Sequence, residues 1–180
     1  MAEELEADPD LESLEVEGDL SPEAVRRLAT ALGRHRALTE LDLAGVECEV
    51  GDAGALTLAG ALGKNGSLTA LNLKGNKIGP EGAGLLAVAL APSDLWAETR
   101  DFGAHERNAS LKTLCLAYNA IGDTGANALC QALAPGGQLE ELELTGCGVG
   151  PDGAAKLAQA LAQNQTLKTL RLRDNALGDA

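Results

Sequence analysis

Leucines recur along this chain in one local pattern, L-x-x-L-x-L, starting at Leu11 (LESLEV), Leu38 (LTELDL), Leu68 (LTALNL), Leu111 (LKTLCL), Leu139 (LEELEL) and Leu167 (LKTLRL). The steps between starts are 27, 30, 43, 28 and 28 residues, and a near-constant period in this range marks an array of supersecondary units. In the L-x-L core the two leucines are two apart, so they share one face of a strand. A turn and a helical pattern follow each block, clearest in NKIGPEGAGLLAVAL, NAIGDTGANALCQAL and CGVGPDGAAKLAQAL. There Leu86 and Leu90, Leu129 and Leu133, and Leu157 and Leu161 are each four apart and fall on one helix face. One strand plus one helix is the predicted unit.

Such a unit cannot bury its leucines alone, but stacked copies enclose them between a parallel sheet and a layer of helices. Parallel strands sit about 4.8 Å apart and packed helices about 8–10 Å apart, so the array must bend with its strands inside. The predicted fold is α/β, a right-handed strand–helix solenoid shaped as a horseshoe, with the parallel sheet concave and the helices convex. Small residues such as Ala83, Ala87, Ala126, Ala154 and Ala158 let neighbouring helices approach and moderate the curvature. Residues 1–10, with Glu3, Glu4, Glu6, Asp8 and Asp10 and no basic residue, are expected to be a flexible acidic tail before a repeat domain spanning 11–180.

Composition narrows the function. Aromatic residues make up 2% of the chain, so the core must be aliphatic. A net charge of −13 repels phosphate backbones and anionic lipid heads, which argues against nucleic acid and membrane partners. The longest apolar run, Leu85–Ala91, is far short of the roughly 20 residues of a spanning helix, and the start MAEELEADPD is acidic where a signal peptide is basic. A cytoplasmic protein is expected. Cys48, Cys115, Cys130 and Cys147 form no CxxC pair and are read as reduced thiols.

At the ninth place of the pattern stand Asn76, Asn119, Cys147 and Asn175. With them the chain resembles, over residues 11 to 180, the ribonuclease-inhibitor-like leucine-rich repeats, which also occur in NOD-like immune receptors, tropomodulins and the Ran GTPase-activating protein. A side-chain amide at that place can satisfy loop backbone groups left unpaired at a strand end. The second repeat departs from the pattern with Val46, Cys48 taking the role only if two residues are inserted. The first repeat is one residue short, with Asp19 or Gly18 there, as in an atypical terminal unit.

Several apparent motifs dissolve into the repeat. The Gly-x-x-Gly elements at Gly51/Gly54, Gly79/Gly82, Gly122/Gly125 and Gly150/Gly153 are strand-to-helix turns, with Asp52, Glu81, Asp123 and Asp152 favouring the helix N-terminus. The sequons at Asn65, Asn108 and Asn164 each precede a strand leucine and are expected to end helices in a left-handed conformation. No phosphate-binding loop, H-E-x-x-H motif or zinc spacing occurs, so no catalytic residue, cofactor or metal is expected. Of the histidines, His35 and His105, the former is read as a solvated loop end.

The outward positions of the strands are where the family binds. The central one reads Glu15, Asp42, Asn72, Cys115, Glu143 and Arg171, with Glu40 and Glu141 nearby. Like charges on adjacent strands cost stability, so Glu15, Glu40 and Asp42 either serve solubility or receive a basic partner segment. The long third step holds about fifteen extra residues, roughly 92–107, and carries Trp96 and Phe102, two of the chain's three aromatics. These rings either contact a partner or fold back onto the helix layer. The sixth unit stops at DNALGDA without a covering helix. Either the natural chain continues or this edge, with Leu170, Leu172 and Leu177, associates with another molecule, a second copy included. The expected function is a protein-interaction module, not an enzyme. The resemblance also implies an alternative, GTPase activation of the Ran type, although the interior turns hold Lys74 and Lys77 and no arginine before Arg173.

Overall fold

The computed structural model describes residues 2–18, 20–45, 50–92 and 108–178. Helices and strands alternate as α1 (Ala2–Ala7), β1 (Ser13–Glu15), α2 (Pro22–Arg34), β2 (Glu40–Asp42), α3 (Gly51–Lys64), β3 (Ala70–Asn72), α4 (Pro80–Leu90), β4 (Thr113–Cys115), α5 (Gly122–Leu129), β5 (Glu141–Glu143), α6 (Pro151–Leu161) and β6 (Thr169–Arg171). The strands form one parallel sheet in sequence order, β1 to β6, while each helix packs on the next. Leu14, Leu41, Leu71, Leu114, Leu142 and Leu170 are successive register partners and make one row through the core. From Leu41 to Leu142 that row is at most 1% exposed. No helix among the described residues is long and apolar enough to cross a membrane.

Two side-chain ladders tie neighbouring units together. In the first, at the strand exits, Asn119 Nδ2 donates to Leu73 O (2.8 Å) and Leu116 O (2.9 Å), while its Oδ1 accepts from Asn76 N (3.0 Å) and Ile78 N (2.9 Å). Asn76 and Asn175 repeat this against the preceding unit. Cys147 fills the place by donating its thiol to Leu116 O. Burial pushes that thiol up to about 11, so it stays protonated, as the donor role requires.

The second ladder lies at the helix ends. Asn65 Nδ2 donates to Leu32 O and His35 O while its Oδ1 accepts from Ser67 N and Leu68 N. Asn108 and Asn164 repeat the arrangement. This corrects the expected left-handed helix ends. Asn65 is extended (φ −92°), and the only described non-glycine residues with positive φ are Lys77, Tyr118 and Asp174. An Asx turn already satisfies the chain end, so no left-handed residue is needed. His35 joins the same ladder. Its Nδ1 accepts from Leu38 N (3.0 Å) and its Nε2 meets Asp8 O (3.0 Å). It is 6% exposed and structural, not solvated.

The strand-to-helix turns alternate in kind. Helices α3 and α5 open on Gly-Asp, whose glycines have φ of 57° and 60°, while α4 and α6 open on Gly-Pro. Each Gly-Asp carboxylate caps the following helix, not its own. Asp52 Oδ1 accepts from Gly79 N (2.7 Å) and Gly82 N (2.9 Å), and Asp123 Oδ1 from Gly150 N (2.6 Å) and Gly153 N (2.9 Å). A methyl group added at Gly153 would lie 2.5 Å from that oxygen, which explains the second glycine of the motif. In α2, the first helix of the Pro-initiated kind, Ser21 caps its own Ala24 N instead.

Two further expectations change. The acidic start is not wholly a flexible tail, because α1 stacks on α2 with Leu5 3% exposed in the core and Glu3 paired to Arg27 at 3.0 Å. An uncovered end of the leucine row offers a place for one apolar side chain, and Leu5 takes it. Helix α5 ends at Leu129, and three-residue-spaced bonds from Cys130 to Ala134 carry Leu133 into the core.

Candidate protein-binding face

Pleating aims the residues on either side of each central leucine away from the core. The register then aligns Glu15, Asp42, Asn72, Cys115, Glu143 and Arg171 in one row, and Ser13, Glu40, Ala70, Thr113, Glu141 and Thr169 in a second. The eight strand residues singled out in the sequence therefore share one face. Trp96 and Phe102 lie outside the described residues.

Charge on this face is uneven. At the β1–β2 end Glu12, Glu15, Glu17 and Glu40 are exposed, and among the described residues no cation pairs with them. Asp42 is half-buried, accepting from Asn72 Nδ2 (3.0 Å) and Ala44 N (2.8 Å). At the β4–β6 end the acids are paired. Glu140 lies between Lys168 (2.5 Å) and Lys112 (3.1 Å), whose hydrogen bonds hold its carboxyl below the usual range. Arg171 approaches Glu141 (3.4 Å) and Glu143 (3.6 Å). Between the two ends, burial raises the Cys115 thiol above its ordinary value and Glu143 adds to the shift, which disfavours a reactive thiolate. Cys115, Cys130 and Cys147 are unbridged, and among the described residues no cluster could hold a metal ion.

The base of the long third unit is closed. Asn108 N donates to Ala89 O (3.1 Å), as Asn65 N donates to Ala61 O (3.0 Å) one unit earlier. Pro92 and Asn108 thus occupy successive places of an ordinary repeat, and the segment 93–107 between them lies outside the described residues.

A leucine-rich-repeat family model matches residues 64–87, 107–130, 139–158 and 163–180. The fold is a leucine-rich-repeat solenoid. Among solved structures, the repeats superpose on the Caenorhabditis elegans tropomodulin C-terminal domain with a TM-score of 0.63 and 19% identity, covering 91% of this chain and 90% of that one. They superpose on leiomodin-1 actin-binding site 2 with a TM-score of 0.57 and 20% identity, covering 95% of this chain and 76% of that one. Among curated protein sequences no significant match is found.

One feature of the leucine-rich-repeat rim went unread in the sequence. Tyr118 is exposed with φ 56°, at the strand-exit position that Gly45, Gly75 and Gly146 fill in other repeats. Its ring lies against Gly146, where an added methyl would sit 2.7 Å away, and Lys74 Nζ stands 5.3 Å from the ring centroid. With Asn119, Ala120, Cys147 and Gly148, Tyr118 and Gly146 line a shallow depression of about 410 Å³. A bulky residue in the left-handed region is strained. The signal available in the sequence was the interruption of a recurring glycine.

Proposed function

We propose that this chain is an interaction module of the ribonuclease-inhibitor-like kind that binds a partner protein across the concave strand face, its β1–β2 end receiving a basic segment. Helices of 11 to 14 residues between the strands in α2, α3, α4 and α6 support the subclass. The observation that carries the binding reading is the acidic group Glu15, Glu40 and Asp42, set side by side on β1 and β2 with no cation paired to it among the described residues, while Glu141 and Glu143 of β5 have Arg171. Adjacent like charges cost stability, and a partner's lysines or arginines would relieve that cost while speeding encounter.

The test combines cross-linkers placed at Glu15 and Glu40 with a neutralised variant, Glu15→Gln/Glu40→Gln/Asp42→Asn. Actin is the first protein to try, since leiomodin-1 actin-binding site 2 shares the fold. Cross-links on the concave face are expected, with the variant at least about tenfold weaker in binding and no less stable to heat. Unchanged affinity for the cross-linked partner would defeat the proposal.

A further inference from the structure

The two outer strands of the described sheet, β1 and β6, carry opposite charges at matching positions. In the unit LESLEVE the exposed places hold Glu12, Glu15 and Glu17, and in LKTLRLR the same places hold Lys168, Arg171 and Arg173. Inside the solenoid the first two of these rows already pair across strands. Glu140 bridges Lys112 and Lys168 on either side of it, and Arg171 reaches Glu141 and Glu143. A further strand beside β6 would continue the alternation if it brought acids at these three heights, and β1 does.

The apolar and hydrogen-bonding edges match as well. Leu167, Leu170, Leu172 and Leu177 are only partly buried, whereas Leu139, Leu142, Leu144 and Val149, their counterparts one unit earlier, are at most 1% exposed. Strand β5 reaches β6 through Leu144 N to Arg171 O (2.9 Å), Gly146 N to Arg173 O (2.9 Å) and Lys168 N to Glu140 O (2.7 Å). Advanced by one unit, the same scheme sends Leu172 N to Glu15 O, Asp174 N to Glu17 O and Glu12 N to Lys168 O.

We propose that copies of this chain stack head to tail, β6 of one against β1 of the next, continuing the parallel sheet with Lys168, Arg171 and Arg173 beside Glu12, Glu15 and Glu17 of the second copy. Such a contact joins two different surfaces, so it is heterologous and extends in one direction instead of closing as a symmetric dimer. Its ion pairs lie at a solvent-accessible edge and are therefore salt-sensitive. This inference concerns the ends of the sheet and is read without any partner protein, so its failure leaves the proposed concave-face function untouched.

Sedimentation of the 180-residue chain over a wide concentration range, at low and high salt, tests it. The weight-average mass should rise with concentration at low salt and fall back toward the monomer at high salt. Two variants spare Arg171 and its contacts: Lys168→Glu/Arg173→Glu on β6 and Glu12→Lys/Glu17→Lys on β1. Each alone should keep the native circular dichroism and associate at least about tenfold more weakly. An equimolar mixture restores opposite charges at the junction and should recover association. A wild-type chain that stays monomeric throughout, or a mixture of folded variants no more associated than either one, overturns the proposal.

Discussion

At Asp52 and Asp123 one carboxylate oxygen takes two N–H donors from the helix of the next unit, so a local residue does long-range work. Asp123→Ala leaves Gly150 N and Gly153 N to find water or go unpaired, and loss of such a cap costs roughly 1–2 kcal/mol. Denaturant unfolding should show that loss, with Asp123→Asn retaining most of the stability; an Ala variant equal to wild type would show that the bonds are inconsequential. The sequence places these acids at helix starts, which is true, but it does not show which helix they serve, because a unit apart in sequence is side by side in space. Asn76, Asn119, Cys147 and Asn175 are legible from their recurrence alone. His35 is not, because nothing in its flanks, Arg34 and Arg36, announces a ring that replaces an asparagine.

At the scale of elements, strand and helix positions follow from leucine spacing, and the boundaries follow from the Pro, Gly and Asn that punctuate it. Helix α1 escaped because six residues, three of them glutamate, are too few to hold a helix alone; their structure depends on Leu5 meeting α2. The insert follows the opposite rule. Since Asn108 N and Ala89 O already close the repeat, deleting residues 93–107 and joining Pro92 to Asn108 should leave the thermal midpoint within a few degrees of wild type. Calorimetry decides this, and a collapse of stability would mean that the segment packs as part of the core. If Trp96 and Phe102 contact a partner, the same deletion weakens binding in a chain that remains folded.

For the whole molecule, each unit touches only its neighbours among the described residues, so stability is close to a sum of unit and interface terms and need not be uniform along the array. The partial exposure of Leu167, Leu170 and Leu172 places the weak end at β6. Amide exchange at dilute concentration should be at least about tenfold faster at Thr169 than at Thr113, whose N–H groups bond to Glu140 O and Thr69 O alike. Equal protection along the sheet would indicate a single cooperative opening instead. The strand order and the rows of the outward strand face were legible because repetition turns sequence position into spatial position. The charge pairing along those rows was not, because it depends on which long side chains reach across.

The alternation of Gly-Asp and Gly-Pro turns also limits how such a molecule can grow or shrink. A helix opening on Gly-Pro borrows its cap from the Gly-Asp unit before it, so deletion of that unit alone would leave it behind another of its own kind, with no carboxylate to accept its N–H groups. Copying or excising a Gly-Asp unit together with the Gly-Pro unit after it keeps every such helix capped and the alternation intact, so duplication, recombination or engineering of this scaffold would be expected to proceed most readily two units at a time.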